Sequence, residues 1–431
     1  MTETLLVVLD DTVAGTVTRL SGGKLRFDYH NDYRERPGAT PLSLSMPVQV
    51  RSHTDNVITP WMWGLLPDND AVLARWSRRF QVSASSPFSL LSTQIGVDCA
   101  GAVRFAPPSE IDRVLARTGD ITWLSEKEVA KRLKELREDS TSWLGESFTG
   151  QFSLAGAQAK TALLLKDGRW GVPSGATPTT HILKPAAAAL DDHDLNEHLC
   201  LDAARRAGLV AVRTNVTRFA QESAVVVDRY DRLDVDGTFV RVHQEDLCQA
   251  LGVPPSRKYQ NEGGPSPSDV ARLFRQSMSP EAGDEAVLRF ADALVWNWLV
   301  AGTDAHAKNY SLLLSGGQVR LAPLYDIAST LPYPDMHERR LKFAMKIGGD
   351  YSVDPHRNTW PAAAKDLGLD PELLTNRVRE LGARAPDVFA DAAKSPDVQA
   401  LNRPLAARLV DQVSERAVRC MRVIGVPEPA A

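Results

Sequence analysis

The sequence predicts an α+β fold in two lobes, preceded by a small β-rich subdomain. Three observations predict it. Short strand-like runs separated by turn residues crowd the first half, above all over residues 151–235. From Gln244 onward, apolar stripes at helical spacing take over. The chain has 431 residues, 43% of them hydrophobic, enough for two or three domains with cores of their own. A β-rich piece followed by a helix-rich piece is the organisation of a two-lobed α+β unit.

Composition excludes several classes. Gly and Pro, at 28 and 27 residues, are near average usage, so collagen-like and low-complexity chains are out. An ordinary apolar fraction with a net charge of −4 argues against disorder. The longest strongly apolar run, Ala293–Gly302, contains Asn297 and is far short of the roughly 20 residues a spanning helix needs. Met1-Thr2-Glu3-Thr4 lacks the basic start of a signal peptide. The expectation is a cytoplasmic protein with no membrane association. Cys99, Cys200, Cys248 and Cys420 lie far apart without a CxxC, and read as small buried thiols in a reducing compartment. An isoelectric point near 6.2 leaves no electrostatic footprint for a phosphate backbone. Contact with DNA would need a basic partner or a local patch.

The elements follow in order. Leu5–Leu9, Gly15–Thr18 and Lys24–Tyr29 read as a β-meander punctuated by Asp10-Asp11 and Ser21-Gly22-Gly23. Ala71–Arg79 reads as a helix and Gly101–Phe105 as a strand. Ala106-Pro107-Pro108 then breaks the pattern, so a first domain is placed over 1–110. Ser125-Glu126-Lys127-Glu128 fits a capping box opening a helix to about Glu138. With the polar stretch Asp139–Gly150 it makes a helix and connector over 111–150. Over 151–235, Thr161–Leu165 and Trp170–Val172 flank a Lys166-Asp167-Gly168-Arg169 turn as a hairpin. His181-Ile182-Leu183 is a further strand, and Asp194–Ala207 an amphipathic helix closed by Gly208. Val212–Phe219 and Ala224–Val227 read as paired strands. Over 236–431 the reading is mostly helical: Asp284–Val300 carries a single apolar stripe, and Leu401–Ile424 looks like one long helix with Pro404 in its first turn.

The most informative segment is Thr303-Asp304-Ala305-His306-Ala307-Lys308-Asn309, directly after the apolar helix. A hairpin follows, Tyr310–Leu314 and Val319–Leu321 about Ser315-Gly316-Gly317, and Asp326 comes just after it. Phosphoryl transfer needs a carboxylate to hold the attacking hydroxyl, and an amide oxygen and a second carboxylate to hold Mg²⁺ against the phosphates. Asp304 and Asn309 stand five positions apart with Asp326 beyond the hairpin, the order in which protein kinases place these groups. Any one of the three is more often a loop or capping residue. The three together favour the chemistry.

The nucleotide's remaining contacts are expected upstream. Lys184 ends the strand His181-Ile182-Leu183, and Glu197 lies on the next helix, on its packed side, where an ammonium would meet it. Ser153–Lys160 is rich in small residues and precedes a strand, so its backbone N–H groups could approach phosphates closely. It is neither a Walker A loop nor a GxGxxG loop, and a plain tight turn is the commoner reading. Asp228-Arg229-Tyr230 follows Ala224–Val227 and is either an inter-lobe hinge or an edge strand. Gln244-Glu245-Asp246 is either a wall of the site or a helix start, with the structural reading favoured.

With these residues together, the sequence resembles the HipA family of toxin kinases. The resemblance is carried by Ser153–Lys160 with Thr161-Ala162-Leu163-Leu164, Thr180–Pro185, Asn196-Glu197, Asp228–Arg232, Gln244–Asp246 with Cys248–Gly252, Thr303–Asn309 and Pro323–Asp326. Trp63-Gly64-Leu65-Leu66-Pro67-Asp68-Asn69 is similar to that family's N-terminal subdomain. The resemblance spans nearly the whole chain and implies a two-lobed, protein-kinase-like Ser/Thr kinase, the toxin of a type II toxin–antitoxin pair. It implies a small helix-turn-helix antitoxin of the HipB type, with DNA reached only through that partner. It also implies ATP and Mg²⁺ as cofactors. The implied target is an aminoacyl-tRNA synthetase, such as glutamyl-tRNA synthetase, whose phosphorylation causes growth arrest and persistence.

Carried over by motif, Asp304 is implied as catalytic base, with Asn309 and Asp326 as Mg²⁺ ligands. Lys184 is implied to contact the ATP phosphates, with Ala155, Gly156, Ala157 and Gln158 as the phosphate loop and His306 nearby. Asp228 and Tyr230 are implied to line the adenine pocket, and Ser153 to be the autophosphorylation site. The sequence departs from the family in carrying Asp228 and Tyr230 where Glu and Phe are common. Asp326 is followed by Ile327-Ala328 rather than the Phe-Gly of protein kinases. Lys346, within Ala344–Gly349, resembles another family segment but receives no role. Two alternatives stand beside this reading. One is a small-molecule phosphotransferase of the antibiotic-modifying type, the other a catalytically silent subunit that binds an antitoxin as corepressor.

Overall fold

A computed structural model describes residues 3–9, 11–116, 119–145, 150–186, 190–354 and 359–425. Asp10, Met1-Thr2 and residues 146–149 of the connector lie outside these. The opening strand-like runs form antiparallel strands Glu3–Leu9, Thr12–Arg19 and Leu25–Tyr29. Ser52–His53 and Arg104–Ala106 extend them to a five-stranded sheet. The last strand is shorter than expected from Gly101, whose φ of +78° belongs to a turn. Leu5, Val7 and Leu9 pack on one face with Trp61, Met62 and Trp76 from the helices that follow. Val8 packs on the opposite face with Val97, Ala106 and Val114.

A second antiparallel sheet has six strands in the order Thr214–Phe219, Glu222–Asp228, His181–Pro185, Thr161–Lys166, Arg169–Pro173 and Ile121–Leu124. The stretch read as helix and connector therefore supplies an edge strand and a covering helix. That helix, Glu126–Glu138, starts at Ser125 with the capping box formed as expected. In the strand Glu222–Asp228 successive side chains part company. Ala224 and Val226 join Val129 and Leu133 beneath the helix Glu126–Glu138, while Val225 and Val227 join Leu199 and Ala203 of the helix His193–Arg206. This is why Ala224–Val227 is a continuous apolar run: the sheet is covered on both faces there.

The C-terminal lobe is built on the helix Pro280–Val300, buried around its whole circumference over its last turns, as a core helix must be. Helices Thr359–Leu367, Pro371–Ala393, Pro396–Leu401 and Leu405–Val423 complete it. The single long terminal helix expected over Leu401–Ile424 is corrected: Asn402 turns left-handed and Pro404 caps a new helix. Proline disfavours the helical conformation of the residue before it, so no helix runs through Arg403. The lobe is also less purely helical than expected. His243–Asp246, Ser311–Ser315 and Gln318–Leu321 form a three-stranded sheet, and Lys342–Ile347 pairs with Asp350–Ser352. No described helix is long and apolar enough to cross a membrane. All four cysteines are buried free thiols.

The N-terminal domain docks on the strand and helix that begin this lobe. Glu245 accepts from the Leu44 amide at 2.8 Å and from the Ser43 hydroxyl. Gln249 donates to the Trp61 carbonyl at 2.9 Å. A side chain on Gly64 would stand 2.6 Å from Gln249, so only glycine lets the two approach. Glu245 is thus an interdomain platform and Asp246 caps the helix Leu247–Ala250, while Gln244 and Asp246 also line the cavity, so both the structural and the wall readings of this segment hold in part. A second tie is ionic and buried. Asp98 faces Arg232 at 2.9 Å and Arg241 at 3.3 Å, while Asp231 faces Arg229 at 2.8 Å and takes the Gly101 amide at 2.7 Å.

Candidate active site

The catalytic-loop segment begins where the core helix stops. Ala301 adopts a left-handed conformation and the Gly302 amide returns to the Asn297 carbonyl at 2.8 Å, so the chain turns sharply into Thr303. The loop then binds itself. The His306 amide and the Asn309 carboxamide both donate to the Asp304 carbonyl, each at 2.8 Å. That leaves the Asn309 carboxamide oxygen as its acceptor. The Asp304 side chain is exposed at the mouth of a cavity of about 590 Å³, and its Oδ1 accepts from the Tyr259 hydroxyl at 2.7 Å. Burial lowers the His306 pKa. Its Nδ1 is buried with no hydrogen-bond partner among the described residues, and its ring meets Tyr259 edge-on at 5.1 Å.

The hairpin beyond has Gly316 and Gly317 both at positive φ between paired Ser315 and Gln318, the two-residue turn that matches strand twist. It delivers Asp326, whose φ of +57° is uncommon for a non-glycine residue. The Lys184 ammonium meets Asp326 Oδ1 at 2.6 Å and Glu197 Oε1 at 2.7 Å. Burial alone would raise the Asp326 pKa, but Lys184, aided by Lys160 and His306, holds it well below the usual carboxylate range. Burial works against charge on Lys184 too, and Asp326 and Glu197 outweigh it to raise its pKa. Next to Glu197, Asn196 exchanges two hydrogen bonds with the Ser329 backbone, at 2.7 and 2.9 Å, pinning the segment after Asp326.

Ala155, Gly156, Ala157 and Gln158 form another wall. Gly156 has φ +100°, and a Cβ there would lie 2.9 Å from the Lys160 ammonium. Lys160 donates to the Ala155 carbonyl at 3.0 Å and sits 4.2 Å above the Trp143 ring. Its burial, with Lys184 close by, pushes its pKa down to about 7. Ser153 does not line the cavity. It is fully buried, its hydroxyl donating to the Leu65 carbonyl at 2.7 Å.

At the hinge, Glu222–Asp228 is an internal strand, which corrects the edge-strand alternative. The Asp228 amide donates to the Arg213 carbonyl at 3.0 Å and the Arg229 amide to the Thr180 carbonyl at 2.9 Å. Both amides are therefore committed within the protein, not presented to a base. Asp228 Oδ1 lies 3.3 Å from His181. Tyr230 stacks on Tyr325 at 5.8 Å and donates to Gln244.

Asp304, Asn309, Asp326, Lys184, His306, Asp228, Tyr230 and the four loop residues all line the one cavity. Sequence reasoning missed Asp68, Lys160, Lys258, Tyr259 and Tyr325, which also line it. Lys160 and Asp68 stood inside motifs already singled out, without roles. Tyr259 lies 45 residues before the Asp304 it touches, and no local pattern marks it. Among the described residues, no group of three His, Cys, Asp or Glu side chains forms a metal cluster.

Comparison with known proteins agrees with this architecture. Residues 5–106 match the family model described as the HipA N-terminal domain, and residues 152–389 the HipA-like C-terminal domain. A putative kinase, Y4mE, of Sinorhizobium fredii is 32% identical over 412 residues, covering 95% of this chain and 96% of that protein. The serine/threonine-protein kinase toxin HipA of Shewanella oneidensis is 28% identical over 429 residues, covering 94% of each. A chain in the solved complex of Shewanella oneidensis HipA, HipB and operator DNA superposes with a TM-score of 0.82 at 25% identity, covering 98% of this chain and all of that one. The sheet domain and the two lobes around the cavity are thus one known architecture, matched almost end to end, and the chain belongs to the HipA family of serine/threonine-protein kinases.

Proposed function

We propose that this protein is the ATP- and Mg²⁺-dependent toxin kinase of a toxin–antitoxin pair, transferring the γ-phosphoryl group to a serine or threonine of a translation protein. The implied target class is an aminoacyl-tRNA synthetase, glutamyl-tRNA synthetase among them. The observation that carries the reading is the Lys184 ammonium bridging Glu197 and Asp326 in a cavity that Asp304 and Asn309 also line.

The donor set fits the cofactor. The carboxylate of Asp326 and the free carboxamide oxygen of Asn309 are hard oxygen ligands, and Mg²⁺ typically takes one or two such protein groups and completes its shell with water and phosphate. When bound, the ion neutralises charge on the phosphates. Asp304 accepts the proton of the acceptor hydroxyl as its oxygen bonds to the γ-phosphorus. The bond to the β-phosphate oxygen breaks and ADP leaves. Lys184 holds the phosphates, and the small residues Ala155–Ala157 bring backbone amides close to them. Tyr230 and Asp228 flank the base.

Ser153 is the proposed autophosphorylation site and off-switch. Its hydroxyl is fully buried against a carbonyl oxygen. A phosphoryl group adds a charge of about −1.5 to −2 and has no room there, so the modified segment must leave its seat and carry Ala155–Gln158 with it. A preparation stoichiometrically phosphorylated at Ser153 should not bind ATP, and undiminished binding would end this part of the reading.

A small helix-turn-helix antitoxin of the HipB type is the proposed partner, supported by the relative solved with HipB and DNA. DNA would be reached only through it. The deciding experiment is Asp304→Asn. It should lower transfer by about 10²–10⁴-fold, abolish toxicity and spare antitoxin binding. Brief induction of wild type and variant, followed by phosphoproteomics, identifies the target. Full toxicity of the variant would refute the kinase mechanism.

A further inference from the structure

The N-terminal domain lines the cavity with Gly64, Asp68 and Ala100, and of these Asp68 alone brings a charge. Oδ1 of Asp68 meets the Lys308 ammonium at 2.7 Å and Oδ2 meets Lys258 at 3.1 Å. Lys308 is the residue before Asn309 in the catalytic loop, and its side chain is 2% exposed. Lys258 precedes Tyr259, whose hydroxyl holds Asp304, and the Lys258 carbonyl accepts the Ala307 amide at 3.3 Å. The backbone of the same aspartate serves a third partner: its amide donates to the Gly156 carbonyl at 3.0 Å, and the Asn69 carboxamide to the Ala157 carbonyl at 3.4 Å.

We propose that Asp68 is a positioning residue for phosphoryl transfer, through which the N-terminal domain sets the catalytic loop, the Lys258-Tyr259 strap and the phosphate loop in register. This rests on the kinase reading above. The carboxylate is on a rigid mount, because Asn69 is the N-cap of the helix Asp70–Phe80, its side chain accepting the Ala71 and Val72 amides. Burial would disfavour its charge, but Lys308 and Lys258 outweigh this and keep it ionised. The domain has other ties besides this one. Glu245 with Ser43 and Leu44, Gln249 with Trp61, and Asp98 with Arg232 hold the interface elsewhere. Two ammonium groups converging on one carboxylate at the cavity wall therefore do more than fasten two domains. They fix the backbone on either side of the reacting carboxylate, where small displacements are costly to rate.

The test uses the full chain, ATP with Mg²⁺, label transferred to the protein itself, and binding of a fluorescent ATP analogue. Asp68→Asn should lower the rate at saturating ATP by about tenfold or more, with half-saturating ATP within about threefold of wild type. Asp68→Glu should recover part of the rate. A loosened interface alone would move both parameters and would not distinguish Glu from Asn. Lys258→Met leaves Asp68 paired with Lys308, covers the case in which Asp68→Asn does not fold, and should be slower by about fivefold. Rates of folded Asp68→Asn or Lys258→Met equal to wild type overturn the positioning role alone. A wild-type chain that binds the analogue but transfers nothing overturns the kinase reading and this inference with it.

Discussion

The Lys184 ammonium lies 2.6 Å from Oδ1 of Asp326, joining a strand of the six-stranded sheet to the loop beyond the catalytic hairpin. Glu197 holds the same ammonium from the helix side at 2.7 Å. In the proposed mechanism a charge so placed would act on phosphates from a dry, preorganised position, where electrostatic stabilisation is strongest. Lys184→Met should reduce transfer by about 10²-fold or more. It also leaves the Glu197 carboxylate buried and unpaired, so urea unfolding should show a loss of about 3–5 kcal/mol. Near-wild-type activity in this variant would remove Lys184 from the mechanism.

Tyr259 predicts a smaller and more selective effect. Its hydroxyl occupies Oδ1 of Asp304, which in the proposed mechanism leaves the other carboxylate oxygen for the acceptor. Tyr259→Phe deletes one hydrogen bond to a charged group, worth about 1.5–3 kcal/mol. The maximal rate should therefore fall by about tenfold or more while the ATP requirement stays unchanged. Steady-state kinetics with varied ATP checks this.

Glu245 predicts a pH dependence at the interdomain platform. Burial pushes its pKa up to about 8, against the ordinary value of 4.5. Between those values the folded protein holds a proton that the unfolded chain has released. Stability from this group therefore falls as pH rises from 4.5 to 8, and levels off above. Asp246, raised by burial to about 6, acts in the same direction over a narrower window. Glu245→Gln carries no such proton, so its stability relative to wild type should improve steadily from pH 5 to pH 8 in urea titrations. A difference that does not change with pH would contradict the assignment.

Asp98 predicts the reverse slope. Its burial would raise its pKa, but Arg232, Arg229 and Arg241 hold it well below the usual range. Its contribution is present at neutral pH and is lost as pH falls below the ordinary carboxylate value towards the folded one. Asp98→Asn takes from Arg241 its paired carboxylate and leaves Arg229 and Arg232 with Asp231, and should destabilise the protein by about 3–5 kcal/mol. Adding Arg241→Met should restore part of that. A double-mutant cycle by denaturant unfolding measures the coupling.

What the sequence made legible was local. The Ser125–Glu128 cap, the Gly316-Gly317 turn and the strand run Leu5–Leu9 each depend on neighbours a few positions away, and each is present. Asp304, Asn309 and Asp326 could be singled out because one loop and one short hairpin hold all three. The ties that complete the site are of another kind. Asp68 and Lys308 are 240 positions apart, and Ser43 and Glu245 are 202 apart. Such pairs leave no periodicity, because tertiary packing alone brings them together. The terminal helix starts later than Leu401 for a related reason: the apolar spacing continues across Arg403-Pro404, and the left-handed Asn402 and the proline's backbone restriction divide it.

Neighbouring positions on the helix His193–Arg206 serve different clients. Asn196 grips Ser329, and Glu197 grips Lys184. Successive residues on a helix point about 100° apart, so one turn of the screw cannot keep one grip and release the other. One rigid helix thus carries both the carboxylate that holds the strand lysine and the carboxamide that anchors the post-hairpin segment.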